Sequence, residues 1–76
     1  MNQTIHIFVN GAERLISVNT TLAELVALLQ QEAGQENDPQ ALATAVNEIF
    51  IPRTSRADTL LQEDDQVFTF SPITGG

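Results

Sequence analysis

The chain has 76 residues, 42% of them apolar and none of them cysteine. That is one small domain, residues 1–76, with no disulfide, no thiolate nucleophile and no cysteine-based metal site. Ten Asp and Glu against three Arg give a net charge of −7, which repels nucleic acid and anionic lipid and suits a basic protein partner.

A chain of this size buries only about 60% of its unfolded surface, which leaves room for one thin core and no deep cleft. No apolar run approaches the roughly 18 residues of a membrane span. No basic-then-apolar leader opens the chain. The protein is therefore expected in the cytosol, with neither membrane nor nucleic acid as a partner. All three cations are arginine, so no side-chain amine is present to form an isopeptide.

Residues 4–9 alternate, with Ile5, Ile7 and Val9 on one face and His6 and Phe8 on the other. Asn10-Gly11 is a strong hairpin signal, because both central residues of a type I′ turn need positive φ. The returning strand is predicted at 14–18, a spacing that exceeds two residues and allows a bulge or a longer loop. Thr21-Leu22-Ala23-Glu24 has the capping-box pattern. It opens a helix predicted to run to about residue 33, with Leu22, Leu25, Val26 and Leu29 as its core-facing stripe. Gly34 suits the position just past the helix end, and the polar residues 35–40 read as a loop.

Residues 43–46 read as a short strand, and Phe50 and Ile51 as another stopped by Pro52. Residues 53–59 look polar and irregular. Leu60 and Leu61 return to the core. Glu63-Asp64-Asp65 reads as a tight turn, since Asp tolerates the left-handed region better than most residues. Residues 66–70 form the last strand. Residues 71–76 follow as a flexible tail, expected to move on the ns–μs scale.

That tail carries the chemistry. Pro72 fixes φ and pushes Ser71 toward extended geometry. Gly75 and Gly76 carry no Cβ, so the backbone can enter a narrow slot. Ile73 and Thr74 complete an arm that reaches at most about 20 Å and ends in an unhindered carboxylate on Gly76.

A hairpin, one helix, short strands and a last strand running into Gly-Gly resemble the ubiquitin-like β-grasp fold. This is an α+β architecture with a mixed sheet packed on one main helix. The second half is similar to the ThiS/MoaD family of sulfur carriers. The residues that carry the likeness are Ala45-Val46-Asn47, Ile51-Pro52-Arg53, Asp65-Gln66-Val67 and Gly75-Gly76. Three departures stand out. Asp64 replaces the usual Gly of an Asp-Gly-Asp turn, Arg56 stands where a Trp often follows the Pro-Arg step, and Pro72-Ile73-Thr74 is reminiscent of the small subunit of molybdopterin synthase. The Pro52-Arg53 step favours the thiamine branch.

The resemblance implies a carrier that is no enzyme itself, has no catalytic residues and binds no cofactor or metal. A ThiF-like partner would use ATP to adenylate Gly76. A sulfur donor such as a cysteine desulfurase would convert it to a thiocarboxylate, and a ThiG-like thiazole synthase would take the sulfur. The alternatives are a molybdopterin-synthase subunit, a ubiquitin-like modifier joined to other proteins' lysines, and a plain interaction module with an inert tail.

The remaining residues have plainer readings. His6 stands alone and reads as a strand surface residue. Glu63, Asp64 and Asp65 read as a solvated turn. Arg53 is either a surface residue after a proline turn or a contact for a partner's carboxylate or phosphate. In the β-grasp pairing, Val67 joins the core set. Phe8, Phe68 and Phe70 are then left as an exposed apolar patch beside the tail, rimmed by acidic residues, as at a protein interface; the alternative is that Phe68 and Phe70 are ordinary core, since period alone would bury them.

Overall fold

The computed structural model describes residues 3–32, 34 and 42–70. Five strands and one α-helix account for most of them: β1 Thr4–Val9, β2 Ala12–Ser17, α1 Leu22–Glu32, β3 Ala43–Val46, β4 Ile49–Ile51 and β5 Gln66–Phe70. A 3-10 helix, Arg53–Asp58, lies between β4 and β5. The strands form one sheet in the order β2-β1-β5-β3-β4. β1 and β5 are parallel at its centre, and every other pairing is antiparallel. This is the mixed sheet with one main helix of a β-grasp fold.

α1 starts where its sequence says it should. The Thr21 N–H donates to Glu24 Oε1 at 2.9 Å, and the Glu24 N–H donates back to Thr21 Oγ1 at 3.2 Å, closing a reciprocal capping box. Leu22, Leu25 and Val26 are buried against Ile7, Ile16, Val46, Leu61 and Val67. Each such side chain contributes about 1.5–3 kcal/mol. Leu29 only packs against the margin of this cluster, while Gln30 on the same helix is buried. Past the helix, Gly34 has φ 73, the left-handed geometry expected after a helix end.

Four sequence expectations change. The β1–β2 loop is two residues long, with Val9 paired to Ala12. Ala12 and Glu13 thus extend β2 at its start, because the tight turn leaves no room for a longer loop, and the strand ends at Ser17, with Val18 beyond it. Residues 53–58 are a 3-10 helix rather than irregular chain, since six residues give too few turns for a periodic pattern. Leu60 is 49% exposed; only Leu61 returns to the core, because the two neighbours point to opposite sides of an extended segment. β4 begins one residue early, at Ile49. The expectations for residues 33, 35–41 and 71–76 lie outside the described residues. Among the described residues, no helix is long and apolar enough to cross a membrane.

Candidate partner-docking face

The helix covers one face of the sheet and leaves the other open. Strand alternation decides which side chains stand on the open face. Ile7, Ile16, Val46 and Val67 point to the core, so His6, Phe8, Glu13, Leu15, Ala43, Ala45, Phe50, Gln66, Phe68 and Phe70 point away from it. Register then sets their neighbours. Phe68 lies opposite Ala45, Phe70 opposite Ala43, and Ala45 opposite Phe50. Ala45 therefore separates Phe68 from Phe50, Ala43 lies beside Phe70, and all three rings are exposed. Phe68 is 41% exposed, Phe70 50% and Phe50 60%.

Of the three phenylalanines expected in this patch, Phe68 and Phe70 are exposed on β5. Phe8 is half-buried and pairs with Gln66 rather than with an aromatic neighbour. The structure adds Phe50, which sequence reasoning missed. Ile49, Phe50 and Ile51 are all apolar, so β4 shows no alternation from which to read a face. Arg53 is exposed on the 3-10 helix, which packs against α1, and no strand register joins it to the phenylalanines. Residues Ile73, Thr74, Gly75 and Gly76 lie outside the described residues; they follow β5, whose last residue is Phe70.

β5 is held from both sides by turn asparagines. The Asn10 N–H donates to the Val67 carbonyl at 2.8 Å. The Asn10 amide accepts from the Thr69 N–H at 2.9 Å and donates to Thr69 Oγ1 at 3.0 Å. On the other flank, the Asn47 N–H donates to the Gln66 carbonyl at 2.8 Å, and Asn47 Oδ1 accepts from the Gln66 N–H at 3.0 Å. Both asparagines have positive φ, 53 and 52, a region that Asn enters at lower cost than most residues. The strand that leads to the tail is thus fixed at each end.

His6 lies between two carboxylates. Nδ1 is 3.2 Å from Glu63 Oε2 and Nε2 is 3.8 Å from Glu13 Oε2. The His6 N–H also donates to Glu63. The ring nitrogens thus meet different acids, an arrangement that ties β1 to β2 and to the turn before β5. Among the described residues, no group of three His, Asp or Glu is placed to hold a metal ion.

Under the sheet, Arg56 is only 3% exposed. Its Nε donates to Thr44 Oγ1 at 3.1 Å, its terminal amine donates to the Leu42 carbonyl, and Thr44 Oγ1 donates to the Ile51 carbonyl at 3.1 Å. Burial pushes the Arg56 guanidinium down from its ordinary range, and nearby Arg53 adds to this. This is the position where the resemblance leads one to expect Trp. The long Arg stem occupies the buried space, and the head bonds the start of β3.

A ThiS family model matches residues 2–76 of this sequence. The chain belongs to the ThiS family. The fold agrees: a solved ubiquitin from Caldiarchaeum subterraneum superposes with a TM-score of 0.58, covering 100% of both chains at 13% identity. No curated protein matches the sequence. The protein is therefore a ubiquitin-like sulfur carrier of the ThiS/MoaD type, in a family whose members work with partner enzymes in sulfur transfer. In this ThiS-family chain, the open apolar face and the strand leading to Gly75-Gly76 belong to the same element, β5.

Proposed function

We propose that this protein carries sulfur as a thiocarboxylate on Gly76 and delivers it for thiazole formation in thiamine biosynthesis. A free α-carboxylate is ionised at neutral pH, with an ordinary pKa near 3.3–3.7, and it offers no good leaving group. A partner enzyme overcomes this with ATP. A carboxylate oxygen attacks the α-phosphorus, pyrophosphate leaves, and the acyl-adenylate forms. Sulfide then adds to the acyl carbon and expels AMP, which leaves the thiocarboxylate; a persulfide donor gives an acyl disulfide first, and a thiol reductant then cleaves its S–S bond. The carrier supplies a slim reactive end and a docking surface, while the partners supply catalysis. The absence of Cys and Lys from the chain keeps the activated end from acylating its own side chains.

The observation that carries this reading is the open face of β5. Phe68 and Phe70 stand exposed on β5, the last strand before residues 71–76. A partner that covers them is led to the tail. Pro52-Arg53 supports the thiazole branch over the molybdopterin branch. Adding one residue after Gly76 tests the chemistry. The extended chain has no carboxylate at the right depth and is expected to gain no sulfur; sulfur still gained at Gly76 would contradict the mechanism.

A further inference from the structure

Two hairpins in this chain share one backbone form, but only one has the residue which that form favours. The β1–β2 loop is Asn10 and Gly11, with φ 53 and 86; the β3–β4 loop is Asn47 and Glu48, with φ 52 and 72. Both loops are two residues long, set by the pairs Val9–Ala12 and Val46–Ile49. Positive φ at both central positions is the type I′ turn, in which glycine is favoured second. Glu48 holds that second position with a long side chain, in a region that disfavours any Cβ. Nothing local compensates: among the described residues its carboxylate makes no hydrogen bond and no ion pair. Backbone strain kept without a local return points to a use elsewhere.

What Glu48 does line is a hollow on the open face, shared with Asn47, Gln66 and Phe68. The Asn47 amide is already committed to Asp65 and to the Gln66 backbone. The hollow therefore offers one free carboxylate beside the exposed ring of Phe68. An anion next to an aromatic face is the receptor chemistry of a guanidinium or an ammonium, whose stem also packs on the ring. The three arginines are placed elsewhere. Arg14 pairs with Glu32, Arg56 is buried beneath β3, and Arg53 sits on the 3-10 helix.

We propose that this hollow receives a single Arg or Lys side chain of the protein that docks on the open face, with its stem on Phe68 and its charged head on Glu48. The proposal rests on the carrier reading above and names the partner's chemistry. A net charge of −7 favours a basic partner and opposes a second copy of the chain. Location adds a function. The hollow borders Gln66 and the tail follows Phe70, the two ends of β5, about 13 Å apart at the strand rise. An anchor at one end and the tail at the other fix the carrier's orientation on its partner by two points.

Glu48→Gly and Glu48→Gln test this with the adenylating enzyme that charges the carrier. Binding is measured at about 0.05 and 0.3 M salt, alongside thermal unfolding. Glu48→Gly is expected to raise Tm and to weaken binding at least about fivefold at low salt. Glu48→Gln is expected to weaken binding similarly with no rise in Tm, and both variants should flatten the salt dependence. Binding by both variants within about twofold of the parent, with all three proteins gaining sulfur, would overturn the Glu48 contact and leave the carrier reading intact. A parent that neither binds nor gains sulfur would overturn the carrier reading, and this proposal with it. A parent that dimerises, with Glu48→Gly monomeric, would assign the hollow to a second copy and overturn the proposal.

Discussion

The side-chain amide of Asn47 donates to the carboxylate of Asp65 at 3.0 Å. This bond joins two of the stretches that carry the family likeness, Ala45-Val46-Asn47 and Asp65-Gln66-Val67. Each partner is also bound to backbone: Asn47 Oδ1 accepts from the Gln66 N–H at 3.0 Å, and Asp65 Oδ2 accepts from the Gln62 N–H at 2.8 Å. Asp65 is buried, so its carboxylate relies on these donors. Together the two side chains fix where β5 begins.

Asn47→Gly keeps the positive φ and removes only the side chain. It is expected to cost about 1–3 kcal/mol, because it strips a buried carboxylate of a donor. Asp65→Ala should cost a similar amount. The double variant should cost less than the sum, since either single change already breaks the bond the two side chains share. Urea unfolding of the four proteins measures this; strict additivity would show that the contact carries no energy.

Asp64 has φ 70, and its side chain makes no hydrogen bond among the described residues. The likeness places Gly at this position, and the backbone explains why. Asp64→Gly is expected to raise stability by under about 1 kcal/mol, since Asp bears the left-handed region at modest cost and Gly loses entropy on folding. A loss of stability would mean that the Asp64 side chain has a role the geometry does not show.

Glu32 ends α1 and pairs with Arg14 on β2, one hydrogen bond measuring 2.9 Å. The hydrogen bond from Arg14 holds the Glu32 carboxyl below its ordinary value of 4.5. A depressed carboxyl contributes stability above its unfolded pKa and loses it as pH falls through its folded pKa. Glu32→Gln should therefore flatten the loss of stability below about pH 4.5 and lower neutral stability by the same small amount, as expected of a half-exposed pair. Identical acid limbs in the two proteins would contradict this.

Phe68→Ala and Ile7→Ala should separate the two faces of the sheet. Ile7 is fully buried, and its truncation should cost about 2–5 kcal/mol. Phe68 is 41% exposed, and its truncation should cost under about 1 kcal/mol of folding while weakening binding to the activating enzyme. A loss of stability at Phe68 as large as that at Ile7, with binding by the folded protein unchanged, would remove Phe68 from the docking face.

β3 and β5 were legible to the residue, β3 from a short apolar run that stops at Asn47 and β5 from its place between the Glu63-Asp64-Asp65 turn and Pro72. The placement of Phe68 and Phe70 needed more than period. Alternation alone would bury the phenylalanines, and only the parallel pairing of β5 with β1 puts Val67 in the core beside Val9. Phe50 stayed hidden because Ile49, Phe50 and Ile51 are all apolar, so β4 shows no alternation that assigns a face. Arg56 stayed hidden because a buried cation looks like any surface Arg until Thr44 and Leu42 are seen beside it. The left-handed geometry of Glu48 has no sequence signal at all: Asn-Glu does not announce a type I′ turn, and only the short β3–β4 register imposes it.

Intact mass tests the central claim most directly. The protein is incubated with its adenylating enzyme, ATP and a sulfur source. A thiocarboxylate on Gly76 makes the chain about 16 Da heavier, sulfur replacing oxygen, and the gain should require ATP. An unchanged mass under conditions that form the adenylate, or a ladder of conjugates to other proteins in place of the shift, would contradict the sulfur-carrier account.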